Sequence, residues 1–286
     1  MKVGLTLPQA ADYGDGGSWA ELRTLARMAE DGGADSLWVA DHFLYRDDMV
    51  ETGIHEAFTL LTAAAAVTTR VEIGPLVAAT SFRTPGMLAK VATALDFVSN
   101  GRLILGLGCG WHEPEYTAFG YPFDHRVGRF EEAVRAVRGL LDGERVSMAG
   151  TWTKLEDAVM APGPTRRIPI VIASEGPRMM AITARIADGW QCGWSATPDA
   201  DFQRELRSLE AACEAAGRTD RIALFKGVDA TDEAGDDPHV TIDAGAIADA
   251  LAAWQSEGID HLQVRLYPAT RAGFEVALEG IRRFRG

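Results

Sequence analysis

Two adjacent side chains capable of acid–base chemistry follow the apolar run SLWVAD, where ADHF places Asp41 beside His42. The unperturbed pKa of histidine, about 6.5, lets an imidazole donate or accept a proton near neutrality. Asp41 places a carboxylate at the same strand end. The pair predicts a proton-transfer site. The alternative is a histidine that only satisfies a hydrogen bond at a strand end.

A second polar group follows the glycine-rich segment GRLILGLGCGWHEPEY, residues 101–116. Its glycines are spaced G-x-G-x-G, and Pro114 and an aromatic-rich stretch delay the next helix to about Asp124. A dinucleotide fingerprint instead needs G-x-G-x-x-G running directly from a strand into a helix. We therefore exclude a Rossmann loop and predict a polar strand end. Its side chains are Cys109, Trp111, His112, Glu113 and Glu115.

A phosphate site is indicated by IASEGPRMM, where Ser174, Glu175 and Gly176 precede a helix opened by Pro177. Free backbone N–H groups and the positive dipole end of such a helix attract anions, and Arg178 is close by. An ordinary helix cap would use the same residue types.

Two tryptophans are candidates for a pocket wall. Trp190 and Trp194 lie four residues apart in the run GWQCGW. A regular strand would turn both side chains to the same side. They could border a ligand, although tryptophans on a strand more often belong to the core.

The elements that must position these residues are strands alternating with helices. Amphipathic segments separate most of eight short apolar runs. The runs are KVGLTLP, SLWVAD, VEIGPLVAA, RLILGLG, IPIVIAS, GWQCGW, IALFKGV and HLQVRLYP. Such repeats form a parallel sheet, and eight of them predict a (β/α)8 TIM barrel with its chemistry at the carboxyl ends of the strands. No linker composition divides residues 1–286, so we expect one domain.

An insertion of about residues 143–167 separates the fourth helix from the fifth strand. Alternation around Ala149 and Gly150 predicts a short hairpin, followed by a Pro/Gly-rich loop. The insertion is either a lid that excludes water from the barrel mouth or a packing flap. Later in the chain, the acidic loop 231–240 is expected to be a solvated turn.

Composition limits the partners and the compartment. A net charge of −13 argues against nucleic acid or an anionic membrane as the main partner. It still permits an anionic cofactor held by local arginines and helix ends. The cysteines lack zinc-type spacing, which predicts a reducing compartment and no structural metal. With no signal-peptide pattern and no run of roughly 20 apolar residues, we expect a soluble, cytoplasmic protein.

Three segments together resemble the bacterial luciferase-like flavin and deazaflavin oxidoreductases. They are ADHF, SFRTPGMLAKVATALDFVSNGRLILGLGCGWHEPEYTAFG and IPIVIASEGPRMMAITARIADGW. The resemblance spans nearly the whole chain and is most specific over residues 83–120. It implies a (β/α)8 barrel that binds FMN or coenzyme F420 at the carboxyl ends of its strands. The opening strand, GLTLPQ, is most similar to the F420-dependent branch.

The resemblance also implies site residues. It places Asp41 and His42 beside the cofactor ring, where Asp41 could bind the polar edge of the ring or orient His42. It also implies a non-prolyl cis peptide near Leu76 and Val77. The implied cofactor contacts are Asp41, Leu76, Val77, Ala78, Cys109, Gly110, Ala173, Ser174, Glu175, Gly176, Pro177 and Arg178. The implied substrate pocket consists of Trp111, His112, Glu115, Trp190 and Trp194. Cys109 stands where the family usually has a hydroxyl or a small residue, and Trp111 replaces the glutamate of some F420-dependent dehydrogenases.

The predicted function is hydride transfer between F420 and a small organic substrate, with His42 supplying the proton. Two alternatives remain open at this point. An FMN-dependent monooxygenase would use the same cavity to protect a flavin peroxide, and a non-catalytic barrel would bind a cofactor without turnover. The resemblance further implies a homodimer whose seam is formed by helices of the first half of the barrel.

Overall fold

The computed structural model of the protein describes residues 1–10, 14–46, 51–233 and 239–286. Within these ranges the strands are β1 (Lys2–Thr6), β2 (Ser36–Val39), β3 (Leu44–Arg46), β4 (Glu51–Gly53), β5 (Glu72–Pro75), β6 (Ala78–Ala79), β7 (Leu105–Gly108), β8 (Val146–Ala149), β9 (Lys154–Ala158), β10 (Ile170–Ala173), β11 (Gly189–Trp194), β12 (Ala223–Thr231) and β13 (His261–Tyr267). The helices are α1 (Trp19–Asp31), α2 (Ala57–Val67), α3 (Pro85–Val98), α4 (Glu113–Phe119), α5 (Arg126–Leu141), α6 (Gly176–Ile186), α7 (Ala200–Ala215), α8 (Ala244–Ser256) and α9 (Arg271–Arg285).

Nine strands form one parallel sheet in the order β5-β2-β1-β13-β12-β11-β10-β7-β6. Its edge strands, β5 and β6, are the two halves of the third predicted strand, separated by Leu76 and Val77. Because β5 pairs with β2 and β6 pairs with β7, this third strand joins both edges and nearly closes the sheet. The predicted barrel is confirmed, and each of the eight apolar runs contributes a strand.

The amino-terminal part of the barrel is filled by Trp38. A Cβ on Gly4 would lie 2.6 Å from Trp38 Nε1, and one on Gly74 would lie 2.5 Å from Trp38 Cζ3. These positions therefore need glycine to make room for the indole. Trp38 Nε1 donates to Ser36 Oγ over 2.6 Å, and the same hydroxyl lies 2.6 Å from His261 Nε2. This end is a packed core with paired polar groups, as expected for the face that does not carry the chemistry.

Helix starts differ between two regions of the barrel. Six helices begin at a side chain that accepts a hydrogen bond from a backbone N–H of the first turn, the usual N-cap arrangement. These caps are Ser18, Glu56, Thr84, Asp199, Asp243 and Thr270. Helices α4, α5 and α6 begin without such a bond. Their first N–H groups are thus not satisfied by a cap side chain and can donate to a ligand.

The insertion forms the predicted hairpin, with β8 antiparallel to β9. The Glu132 carboxylate on α5 accepts hydrogen bonds from the backbone N–H groups of Thr151, Trp152 and Thr153 at 2.7–2.9 Å. The hairpin therefore packs on the outer helices. None of residues 143–167, all of them described, lines the cavity at the barrel mouth, which favours the packing flap over the lid.

Three further points concern the periphery. A hairpin of β3 and β4, absent from the sequence prediction, extends from the carboxyl end of β2. Part of the acidic loop, residues 234–238, lies outside the described residues. Among the described residues, no helix combines the length and the apolar character needed to cross a membrane.

Candidate active site at the barrel mouth

A cavity of about 490 Å³ opens at the carboxyl ends of the strands, a size typical of cofactor sites. It brings together twelve of the residues that the sequence singled out. These are Asp41, His42, Leu76, Val77, Cys109, Gly110, Trp111, Glu115, Ala173, Ser174, Glu175 and Trp194. Seven others do not line it: Ala78, His112, Glu113, Gly176, Pro177, Arg178 and Trp190.

His42 is held by Glu115, which approaches from α4. The two side chains join through His42 Nδ1 and Glu115 Oε1 at 2.7 Å, and Glu115 Oε2 accepts from the backbone N–H of Phe43 at 2.8 Å. Glu115 is only 1% exposed. Because the carboxylate accepts at Nδ1, the neutral ring carries its proton there and leaves Nε2 as the acceptor for chemistry in the cavity.

Asp41 has a different environment from the one expected. Both of its oxygens are bound by Arg83, at 2.7 and 2.9 Å, and Oδ2 also accepts from the backbone N–H of Ala79. Burial raises the pKa of Asp41 although Arg83 opposes this effect. Among the described residues Asp41 makes no hydrogen bond to His42. The carboxylate that orients His42 is therefore Glu115, and Asp41 positions the backbone around Ala79.

The third strand carries a cis peptide between Leu76 and Val77, as the resemblance implied. Neighbouring glycines let the fourth strand approach this bulge closely. A Cβ on Gly106 would lie 2.2 Å from the carbonyl oxygen of Pro75, and one on Gly108 would lie 2.8 Å from Val77 Cγ2. The bulge lines the cavity, whereas the neighbouring Ala78 is fully buried.

Cys109 and Gly110 line the cavity next to the buried ring of Tyr116. Burial raises the pKa of the Cys109 thiol, so this cysteine is a packing residue and not a reactive thiolate. Gly110 has a φ of 75°, and a Cβ there would lie 1.7 Å from Tyr116 Oη. Only glycine fits this position. The conformation lets the Tyr116 hydroxyl donate to the carbonyl of Cys109 at 3.4 Å.

The predicted phosphate site lies where β10 meets α6. Ala173, Ser174 and Glu175 line the cavity there. The hydroxyl of Ser174 is turned inward, since it accepts from Thr183 Oγ1 at 2.9 Å. The groups that this segment could offer to an anion are therefore backbone N–H groups, including those at the uncapped start of α6. Gly176, Pro177 and Arg178 are exposed just outside the cavity.

The two tryptophans of β11 face opposite sides, so the prediction that they share one side is wrong. Trp190 is fully buried and donates its indole N–H to the carbonyl of Ser174 at 3.0 Å. The pairing of β11 with β12 is irregular between Gln191 and Trp194. The extra residue turns Trp194 to the cavity, because one inserted residue reverses the side to which a strand's side chains point.

Several cavity residues were missed from the sequence. Gln191 is 4% exposed and lines the cavity, and its Oε1 atom has no hydrogen-bond partner among the described residues. Tyr45 of the unpredicted hairpin lies beside the cavity and contacts His42, with ring centroids 4.4 Å apart and the rings tilted by 38°. The alternating direction of side chains along β11 could have identified Gln191, but no sequence signal predicted the hairpin of β3 and β4. His112, which was predicted for the pocket, lies outside the cavity lining and accepts from the backbone N–H of Arg46 at 3.1 Å.

These features fit a flavin or deazaflavin. Leu76, Val77 and Gly110 line the cavity, and the absence of a side chain at Gly110 lets a flat ring approach the backbone there. Gln191 Oε1 is a buried acceptor that needs a donor, and a buried polar atom without a partner is costly. The uncapped starts of α5 and α6 can bind a phosphate.

Comparisons with known proteins agree with this architecture. The chain is 34% identical over 205 residues to the F420-dependent glucose-6-phosphate dehydrogenase of Kineococcus radiotolerans, covering 70% of this chain and 60% of that protein. It is also 34% identical over 205 residues to pyrimidine monooxygenase RutA of Methylorubrum extorquens, covering 69% of this chain and 55% of that protein. The chain thus spans less than two thirds of the length of these relatives.

A solved structure shows the same fold over the entire chain. An F420-dependent secondary alcohol dehydrogenase, in complex with an F420-acetone adduct, has a TM-score of 0.84 and 18% identity, covering 100% of this chain and 99% of that one. The family model described as luciferase-like monooxygenase matches residues 1–265. By this match, the chain belongs to the luciferase-like monooxygenase family.

Proposed function

We propose that the protein is an F420-dependent oxidoreductase that transfers a hydride between the deazaflavin and a small organic substrate: a carbonyl compound, an alcohol or an activated alkene. The observation that carries the proposal is the His42–Glu115 pair at the wall of the cavity. Moving a hydride to or from such a bond requires a proton at the adjacent atom. His42 is the group in position to handle it.

The cavity residues have different roles in the proposed reaction. When bound, F420 supplies the hydride-carrying carbon. Leu76 and Val77 would support one face of the ring, and Gln191 Oε1 would accept a hydrogen bond from it. His42 Nε2 exchanges a proton with the substrate, while Glu115 stabilises the imidazolium that forms when the ring accepts that proton.

The similar proteins support F420 as the cofactor and also support one alternative, an FMN-dependent monooxygenase. A dehydrogenase relative and a structural neighbour are both named as F420-dependent. A monooxygenase relative of equal identity supports the second candidate, an FMN-dependent monooxygenase in the same cavity. The third candidate is a barrel that binds a cofactor without turnover. It would not require the His42–Glu115 pair.

The decisive experiment is a fluorescence titration of cofactor-free protein with F420 and, separately, with FMN. Selective binding of F420 supports the proposal, whereas selective binding of FMN supports the monooxygenase, which consumes oxygen. A His42→Gln variant separates catalysis from binding. It should retain cofactor affinity and lose about 10²- to 10⁴-fold in turnover, and unchanged turnover would favour the non-catalytic barrel.

We also propose a homodimer. On α3, Phe97 is 81% exposed and Met87 is 56% exposed, which supports the expected seam on the first half of the barrel. Light scattering should give twice the chain mass, and Phe97→Glu should shift the protein to monomer. A cytoplasmic location, and the absence of nucleic-acid and membrane partners, stay predictions from the sequence.

A further inference from the structure

An excess of positive charge lies between α5 and α6. Arg135, Arg178 and Arg185 all reach the carboxylate of Glu131, at 2.6, 3.2 and 3.4 Å. One carboxylate thus contacts three guanidinium groups, and Arg135 also acts electrostatically on the neighbouring Glu132. Even with Glu132 counted, positive charge exceeds negative charge in the cluster. We call these three arginines the arginine strip. It stands out on a chain whose net charge is −13.

The strip begins at the cavity. Arg178 follows Glu175, which lines the cavity, by three residues. On the facing helix, a Cβ on Gly128 would lie 3.6 Å from Arg178 Nη2, and the adjacent Val127 also lines the cavity. From Arg178 the strip continues along α6 to Arg185, which is seven residues or about 10 Å further along the helix axis. It leads outward from the predicted phosphate site.

A fourth arginine lies at the same edge. The guanidinium of Arg126 stacks over the ring of Phe123 at 3.9 Å. Among the residues that the structure describes, no carboxylate forms an ion pair with it. Its charge reaches the cavity wall, because it lowers the pKa of the Cys109 thiol against the stronger effect of burial. The positive charge at this edge is therefore not confined to the strip.

One phosphate does not account for this arrangement. The uncapped starts of α5 and α6 already offer N–H groups to a single anion at the cavity. The arginine strip extends the positive charge beyond them, over the outer surface. It suits an anion that continues outward as a chain of several charges.

FMN and F420 differ in the negative charge that they carry beyond the phosphate. FMN ends at its phosphate, whereas F420 continues beyond its phosphate as a chain of linked glutamates, each with a carboxylate. We propose that the arginine strip and Arg126 bind the oligoglutamate tail of F420 and so favour F420 over FMN. This inference rests on the proposed function. Glu131 competes with the tail for the same guanidinium groups, so removing its charge strengthens tail binding.

Binding of F420 forms with different tail lengths tests the inference directly. The full-length protein is titrated by fluorescence with F420 carrying zero, two and five glutamates, and with FMN. An Arg135→Gln/Arg185→Gln double variant removes charge at a distance from the phosphate site. Arg204→Gln on α7 is the matched control, since Arg204 is 61% exposed and paired with Asp201. Glu131→Gln removes negative charge from the cluster, so its effect on tail binding should be opposite to that of the double variant.

We expect affinity in the wild type to rise about fivefold from zero to five glutamates. The gain should shrink as NaCl rises from about 50 to about 300 mM. The double variant should lose this gain while binding the form without glutamates as the wild type does. Glu131→Gln should increase the gain, and Arg204→Gln should match the wild type.

Two failures are distinguishable. If F420 binds tightly but its affinity does not depend on glutamate number, or if the double variant behaves like Arg204→Gln, the tail assignment is overturned and the proposed function stands. If no form of F420 binds, the proposed function is overturned, and this inference with it.

Discussion

Replacing Glu115 with Gln is the sharpest test of how His42 is held. Two donors converge on this carboxylate, His42 Nδ1 at 2.7 Å and the backbone N–H of Phe43 at 2.8 Å. A carboxylate accepts at both oxygens, whereas a carboxamide offers one acceptor and one donor group. The variant therefore cannot satisfy both donors. Solvent cannot compensate, because residue 115 is only 1% exposed.

The variant has two ways to adapt. If the amide NH₂ faced Phe43, a buried N–H would lose its acceptor, at a cost of about 1–3 kcal/mol. If the amide NH₂ instead faces His42, the imidazole can move its proton from Nδ1 to Nε2, which costs less. We therefore expect Glu115→Gln to switch the His42 tautomer. The proton then blocks the atom that faces the cavity, and turnover should fall by about 10²- to 10⁴-fold.

Nitrogen-15 NMR of the imidazole rings, recorded along a pH series so that the neutral form is identified, reports the tautomer without any substrate. Glu113→Gln, on the exposed side of the same helix, is the matched control and should leave the His42 signals unchanged. Urea unfolding measures the accompanying loss of stability, which we expect to be smaller than the cost of about 1–3 kcal/mol for an unpaired buried N–H. A Glu115→Gln protein that keeps the proton on Nδ1 and unfolds like the wild type would refute the reasoning.

Three further predictions address stability and cofactor affinity. Gly110→Ala forces a Cβ to within 1.7 Å of Tyr116 Oη at a positive φ, so urea unfolding should show a loss of about 2–4 kcal/mol; wild-type stability would contradict this. Burial, with a smaller effect from Lys2, lowers the pKa of His261 to about 3, so the unfolded chain takes up a proton between pH 6.5 and 3 that the folded chain does not. Stability should fall on acidification, by about 2 kcal/mol at pH 5, and His261→Gln should lose this part of the pH dependence in urea titrations. Glu175→Gln removes a negative charge at the predicted phosphate site and should tighten F420 binding about two- to fivefold; an unchanged dissociation constant would mean that the carboxylate points away.

The location of the site could be predicted from the sequence, because local rules act on short segments. The eight apolar runs specified strands, and their carboxyl ends placed Asp41, His42, Cys109 and Ser174 on one face of a barrel. A motif match was enough to locate the cis peptide at Leu76 and Val77.

Pairings and facing directions depended on contacts between distant segments. Asp41 and His42 are neighbours in the chain, yet Asp41 binds Arg83 while His42 binds Glu115, 73 residues away. Adjacent residues at a strand end can point to different partners, so sequence adjacency did not predict the pairing.

Contacts between distant segments also decided the side to which Trp194 faces and the position of the arginine strip. An irregular pairing with β12 turned Trp194 away from the side of Trp190, and a bulge is set by the neighbouring strand as well as by the local sequence. The sequence alone determined the barrel, its chemical end and most of the residues at its mouth. The tertiary structure decided which carboxylate orients His42 and where positive charge collects, because both depend on the distances between side chains from separate strands and helices.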